Sequence, residues 1–430
     1  MTSAVSAPER SGLGIGYLVW LAPAAIWYAL LLCAGSTGMT APVPHGLVFN
    51  SMAQHLLHGR FDVDPAAIGD EGYLRGGLVY AYFGVFPALF RMLFLPLADF
   101  ATTDFTRIGC LCAVLVMASF KALSVRLVAR RNAVLLAVIL AGGAQIEFLR
   151  PSIFQEAALW AGACAAAFVY LALRGWLRGF TPGLLGLMAL AAGICLLTRV
   201  STALGLYLAL GFLWLTDRRR AYIGPFAILA AFAAIAGGIN LARWGNPLVF
   251  ADLGRALILD RFPDRLARLH EYGEFNPIRI PYAVGYYFVP VWVEMLWAGF
   301  RDRVFDAVEL PPGSFFVTDP LLVGLAVYGA MRRRLWPILA GLAVPIALML
   351  MAISLTFRYR LEFYPLLELA AFIGATELGT KARNWVIAGA VWSIVVAQAT
   401  WVLTILSPFG PVQSVVGPGG VFAFYLSELM

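Results

Sequence analysis

Four carboxylates fall within ten residues of one polar, glycine-spaced stretch: Asp62, Asp64, Asp70 and Glu71, inside Gly59–Gly84. Asp62 and Asp64 alternate, and Pro65 favours an extended backbone at Asp64, so both can point to one face. Gly69 and Gly72 bracket Asp70 and Glu71 as in a turn. A carboxylate in this setting can take a proton from a hydroxyl as a general base. It can also help to hold a divalent cation, the one cofactor these residues suggest. The same spacing suits an ordinary solvated acidic loop equally well.

Charges at the ends of apolar segments form a second constellation, because charge there is costly and is kept for pairing or function. Glu147, Arg150 and Glu156 lie in IEFLRPSIFQEAALW, Arg199 interrupts LLTRVSTALG, and Arg358 and Arg360 sit with Glu362 in LTFRYRLEFYP. A guanidinium presents a planar fork of donors that suits phosphate oxygens. Arg150, Arg199, Arg358 and Arg360 are therefore candidate phosphate-binding residues. Local ion pairing competes with that role: Arg150 with Glu147 or Glu156, and Arg360 with Glu362. Arg199 and Arg358 have no obvious partner nearby in sequence. His45, Tyr80 and Glu156 complete the candidate pocket. The four histidines show no metal-ligand spacing, and the five cysteines lie in or beside apolar runs as small buried residues. The mixed charges from Arg255 to Glu274 read as a solvated helix face, or else as a cover over the site.

The elements that must position these residues are mostly membrane helices. The chain has 430 residues, 61% of them hydrophobic and 13% charged. A soluble domain carries about 25% charged residues. Apolar runs at 13–34, 105–125, 132–148, 156–174, 183–198, 201–216, 221–240, 315–331, 335–356, 362–378 and 385–406 give about eleven helices of spanning length. The first run is longer than a signal-peptide core and reads as an uncleaved helix. The net charge of +7 comes from short basic clusters between these runs, which excludes a nucleic-acid partner and follows the positive-inside rule. With Arg10 inside, the clusters Lys121–Arg131, Arg174–Arg178, Asp217–Arg220, Arg332–Arg334 and Glu377–Arg383 all fall on the cytoplasmic side. Counting Leu78–Leu97 or Tyr282–Phe300 as a span would flip the clusters that follow. Both contain Pro and charge, so both read as interfacial or re-entrant. Two large loops, 35–104 and 241–314, then lie on the outer face, together with a Gly- and Pro-rich tail at 407–430. Residues 1–406 read as one transmembrane domain, with no soluble domain.

This layout resembles the GT-C superfamily of polyprenyl-phosphate-sugar-dependent glycosyltransferases, in particular bacterial family-39-like and protein-mannosyltransferase-like members. FNSMAQHLLHGRFDVD is similar to their first-loop helix and GGLVYAYFGVFPALFRMLFLPL to their interfacial segment. FLRPSIFQEAALW, LLTRVSTAL, GNPLVF and FRYRLEFYPLL resemble their central hairpins, second loop and late outer turn. The resemblance implies an all-α integral membrane fold and a multi-pass protein of the bacterial inner membrane. It implies an outer-face site, a polyprenyl-phosphate-linked sugar donor, a glycan or glycolipid acceptor, and contact with membrane lipids. It also implies an acid of the first loop acting as base or metal ligand. Many relatives carry that acid just after the first helix. Here TAPVPHGLVFN stands at that place, so the role passes to Asp62, Asp64, Asp70 or Glu71. A non-catalytic protein that binds or transports such lipids is the alternative.

Overall fold

Helices form where the sequence runs apolar, and they break at its Pro, Gly and charged punctuation. The computed structural model describes residues 19–406 apart from 98, 130–132, 218–219, 261–262, 290–313, 333 and 380–381. In chain order the helices used below are α1 (Leu21–Cys33), α2 (Val48–Leu57), α3 (Phe86–Arg91), α4 (Thr106–Ala129), α5 (Ala133–Ala141), α6 (Ile153–Arg178), α7 (Pro182–Leu196), α8 (Val200–Thr216) and α9 (Ile223–Trp244). They continue as α10 (Pro263–Tyr272), α11 (Ile280–Phe288), α12 (Pro320–Met331), α13 (Trp336–Met351), α14 (Tyr364–Thr376) and α15 (Arg383–Leu406). Four of these, α4, α6, α9 and α15, are long and apolar enough to cross a membrane. Shorter apolar helices fall on the remaining segments read as spans.

The bundle packs in pairs, α4 along α6, α8 along α13, and α12 along α14. Small residues let the last pair approach closely, as in other membrane bundles. A Cβ on Gly329 would stand 1.9 Å from the Ala370 carbonyl oxygen, so this contact requires glycine. The α6 helix is the most enclosed of the four long ones and forms the centre of the core. All five cysteines are free thiols.

Leu78–Leu97 is no span. It breaks into a strand, the short helix α3 and a 3-10 turn at Met92–Phe94. The strand is part of a two-stranded antiparallel hairpin, β1 (Tyr73–Arg75) and β2 (Leu78–Tyr80), with Tyr73 opposite Tyr80. This hairpin is a β element that an all-helical reading omits. Arg91, at the end of α3, is fully buried and pairs with Glu156 of α6 at 2.5 Å, which pins the interfacial segment to the bundle. The later part of Tyr282–Phe300 and the tail from 407 lie outside the described residues.

Lys121 departs from its expected place. It is not part of a solvated basic turn. It lies within α4, almost fully buried, and pairs with Glu368 of α14 at 2.5 Å. The charge pattern counts it with Arg126, Arg130 and Arg131 because composition cannot separate a helix-end lysine from one with an interior partner.

Candidate active site

The two large loops are joined over one end of the bundle. Tyr73 forms an antiparallel bridge with Ala256, and the Leu257 amide donates to the Gly72 carbonyl at 2.9 Å. Arg75 donates to the carbonyl of Arg243, at the end of α9, at 2.6 Å. Beneath this junction lies a cavity of about 720 Å³. Its walls come from the hairpin and the segment after it, the ends of α7 and α9, the second loop, and the turn between α13 and α14. Gly84 is essential to the close approach at the α7 end, since a Cβ there would stand 2.2 Å from the Leu197 carbonyl oxygen.

Three of the residues singled out above share this cavity: Glu71, Arg199 and Arg358. Glu71 arrives on a 3-10 turn, Gly69–Glu71, that Gly69 opens at φ +59°. Arg199 is the N-cap residue of α8. Arg358 lies over the Phe154 ring at 4.4 Å, on a 3-10 turn spanning Phe357–Glu362. Glu71, Arg358 and Arg199 all act electrostatically on the Tyr82 phenol, which also lines the cavity. Burial pushes the Tyr73 and Tyr82 phenols well above their usual range, so both remain hydrogen-bond donors at neutral pH.

The other candidates lie elsewhere. Asp62 and Asp64 do point to one side, but that side faces His55, not the cavity. His55 Nδ1 is 3.3 Å from Asp62 and its Nε2 is 3.4 Å from Asp64. Arg60 also pairs with Asp62, and Ser51 donates to Asp64 at 2.8 Å. Asp70 shares the Glu71 turn without reaching the cavity wall. His45 packs against Gly69. Tyr80 leans on Trp244 with ring centroids 5.8 Å apart, behind Tyr73. Glu156 is committed to Arg91. Arg150 is half-buried away from the cavity.

Arg360 lies in the interior. It is fully buried and meets Glu147 and Asp319 at 3.1 Å each, with Thr318 accepting at 2.7 Å. Its partners are therefore Glu147 and Asp319, and Glu362 belongs to Arg199 instead, at 2.5 Å. The pairing expected from adjacency fails because successive residues of the 3-10 turn point to different sides.

Burial pushes the Asp62 carboxyl up, but Arg60 and His55 outweigh it and hold the group below the usual carboxylate range. A depressed carboxyl stabilises the fold above its unfolded pKa, and that contribution is lost as pH falls through the folded value. Acidification from about pH 4 downward should therefore loosen the first loop, and Asp62→Asn should abolish that dependence. Limited proteolysis of the loop against pH measures it. The effect is small, because Arg60 is half exposed and screened.

Glu274 and Leu269, in the charged segment read above as a solvated face or a cover, both line the cavity. Desolvation raises the Glu274 carboxyl above its usual range. Arg243 also lines the cavity and donates to the Phe83 carbonyl at 2.8 Å, anchoring the segment that leads to Gly84. One signal could have found Arg243: it is a basic residue at the helix end that the charge rule assigns to the outer face. Among the described residues, no three His, Cys, Asp or Glu side chains form a group that could hold a metal ion.

The helical bundle, capped by two joined loops, shares its fold with two solved proteins, ArnT and an archaeal oligosaccharyltransferase. The chain is similar to ArnT from Cupriavidus metallidurans bound to undecaprenyl phosphate, at 14% identity over 96% of this chain and 76% of that one, with a TM-score of 0.50. It is also similar to the Archaeoglobus fulgidus oligosaccharyltransferase tethered to an acceptor peptide, at 14% identity over 96% of this chain and 59% of that one, with a TM-score of 0.51. The archaeal AglB in complex with an inhibitory peptide and a dolichol-phosphate matches 94% of this chain at 14% identity and a TM-score of 0.50. The chain spans only 56% of that protein. No protein-family model and no curated protein matches the chain.

Proposed function

We propose that this protein is a membrane glycosyltransferase that moves a sugar from a polyprenyl-phosphate donor to a lipid-linked or cell-envelope glycan. In this reading the reaction takes place on the periplasmic face of a bacterial inner membrane. The observation that carries it is one cavity holding a carboxylate, Glu71, together with two arginines, Arg199 and Arg358. Glu71 takes the proton of the acceptor hydroxyl as its oxygen attacks the anomeric carbon. The bond from that carbon to the phosphate oxygen breaks, and the lipid phosphate leaves with the bonding pair. Arg358 and Arg199 stabilise the charge that develops there. The cavity tyrosines offer flat surface and hydroxyl donors to sugar rings. ArnT and AglB carry undecaprenyl phosphate and dolichol-phosphate in their structures, which supports the donor class.

Deletion of the gene, followed by mass spectrometry of envelope glycans and lipid-linked precursors, tests this reading. The expected result is a glycan lacking one sugar, with the charged donor lipid accumulating. Accumulation of an otherwise finished glycolipid would replace it with the transport reading.

A further inference from the structure

Arg199 meets the cavity from one side and a carboxylate from the other. Glu362 is 1% exposed and does not line the cavity. It accepts from Arg199 Nε at 2.5 Å, from Ser201 Oγ at 2.6 Å and from Thr202 Oγ1 at 2.7 Å. Ser201 and Thr202 belong to the first turn of α8, a helix of 17 residues, so the partial positive charge of that helix end also faces the carboxylate. Within the described residues, the hydrogen bonds of Arg199 run through Nε, leaving its two terminal amino groups for the cavity side. The Tyr359 ring, 5.3 Å from the guanidinium, flanks it.

We propose that Glu362 is the positioning residue of the phosphate site, and that its charge sets how firmly the departing lipid phosphate is held. The proposal rests on the glycosyl-transfer reading above. The donor phosphate is a diester with a single negative charge. When the anomeric C–O bond breaks, the product is a phosphate monoester that can carry two. Arginines that bind the donor therefore bind the product more strongly, and product release slows. Glu362 opposes this by placing a compensating negative charge directly behind the guanidinium that it holds through Nε.

The test is direct titration of undecaprenyl phosphate, used as the probe, against the purified full-length protein and its Glu362→Gln variant. Gln keeps the size and the hydrogen-bonding capacity and removes the charge. The variant is expected to bind the probe at least about tenfold more tightly, the effect of removing one opposing charge within about 12 Å of the phosphate at an effective dielectric of about 20. Its kcat and its KM for the donor should fall together, as release becomes limiting. A merely structural role would weaken binding instead, and equal or weaker binding overturns the proposal. Should Glu362→Gln not fold, Arg199→Gln is compared with the double variant Arg199→Gln/Glu362→Gln, in which both partners are neutral. The double variant should bind the probe more tightly than Arg199→Gln alone, and no gain overturns the proposal. If the wild-type protein does not bind the probe, the glycosyl-transfer reading falls and this proposal falls with it. Binding by the wild type with no gain on neutralising Glu362 overturns the role of Glu362 alone.

Discussion

Glu71→Gln is expected to lower sugar transfer by about 10²- to 10⁴-fold, the range for removal of a positioned general base, while leaving donor binding nearly unchanged. The argument is one of position. Of the six acids in the first loop, Glu71 alone lines the cavity that holds Arg199 and Arg358. Gln preserves shape and hydrogen bonding but cannot accept a proton at neutral pH. Asp62→Asn and Asp64→Asn serve as the contrast, because both carboxylates are engaged by His55 outside the cavity. Initial transfer rates in proteoliposomes, with donor binding titrated in parallel, decide the matter. Wild-type turnover by Glu71→Gln would remove the base from the mechanism.

Arg360→Met is expected to destabilise the protein by about 3–5 kcal/mol, the cost of breaking a buried ion pair by removing one partner. Two carboxylates, Glu147 and Asp319, each lie 3.1 Å from that guanidinium, inside a shell made by Phe315, Phe357 and Tyr364. Without it they face one another uncompensated. Thermal unfolding in detergent should show a large drop in Tm for Arg360→Met and partial recovery when Glu147→Gln and Asp319→Asn are added. The rescue matters more than the loss, since it separates unpaired charge from lost packing volume. A drop that the neutralised triple variant does not relieve would mean that packing dominates.

Much of the fold can be read from the sequence, because a membrane restricts it to helices of spanning length. The apolar segments recur as helices, and the exclusion of Leu78–Leu97 as a span agrees with its strand, short helix and 3-10 turn. The charge rule identified that exclusion without any knowledge of Pro87 or Arg91 in three dimensions. It failed locally at Lys121, whose partner Glu368 is far away in sequence. The site was less legible for the same reason. Arg199 looked unpartnered because Glu362 lies 163 residues further on. Arg360 read as a phosphate ligand or a partner of Glu362 because its actual partners come from two distant segments. Among the acids, composition could not distinguish Glu71 from Asp62. The difference lies in a left-handed glycine at 69 and in a hairpin register that turns one carboxylate inward.

The seam between Gly72 and Leu257 bears on how such a protein can change over evolutionary time. The cavity wall does not belong to either loop alone, because each is a template for the other's backbone. A shift of one residue at Tyr73 would displace Ala256 and everything it presents to the cavity. Divergence in what the cavity presents therefore requires matched changes in two stretches nearly two hundred positions apart, and the tip between the strands is itself held to glycine, since Gly76 and Gly77 sit at φ +59° and +77°.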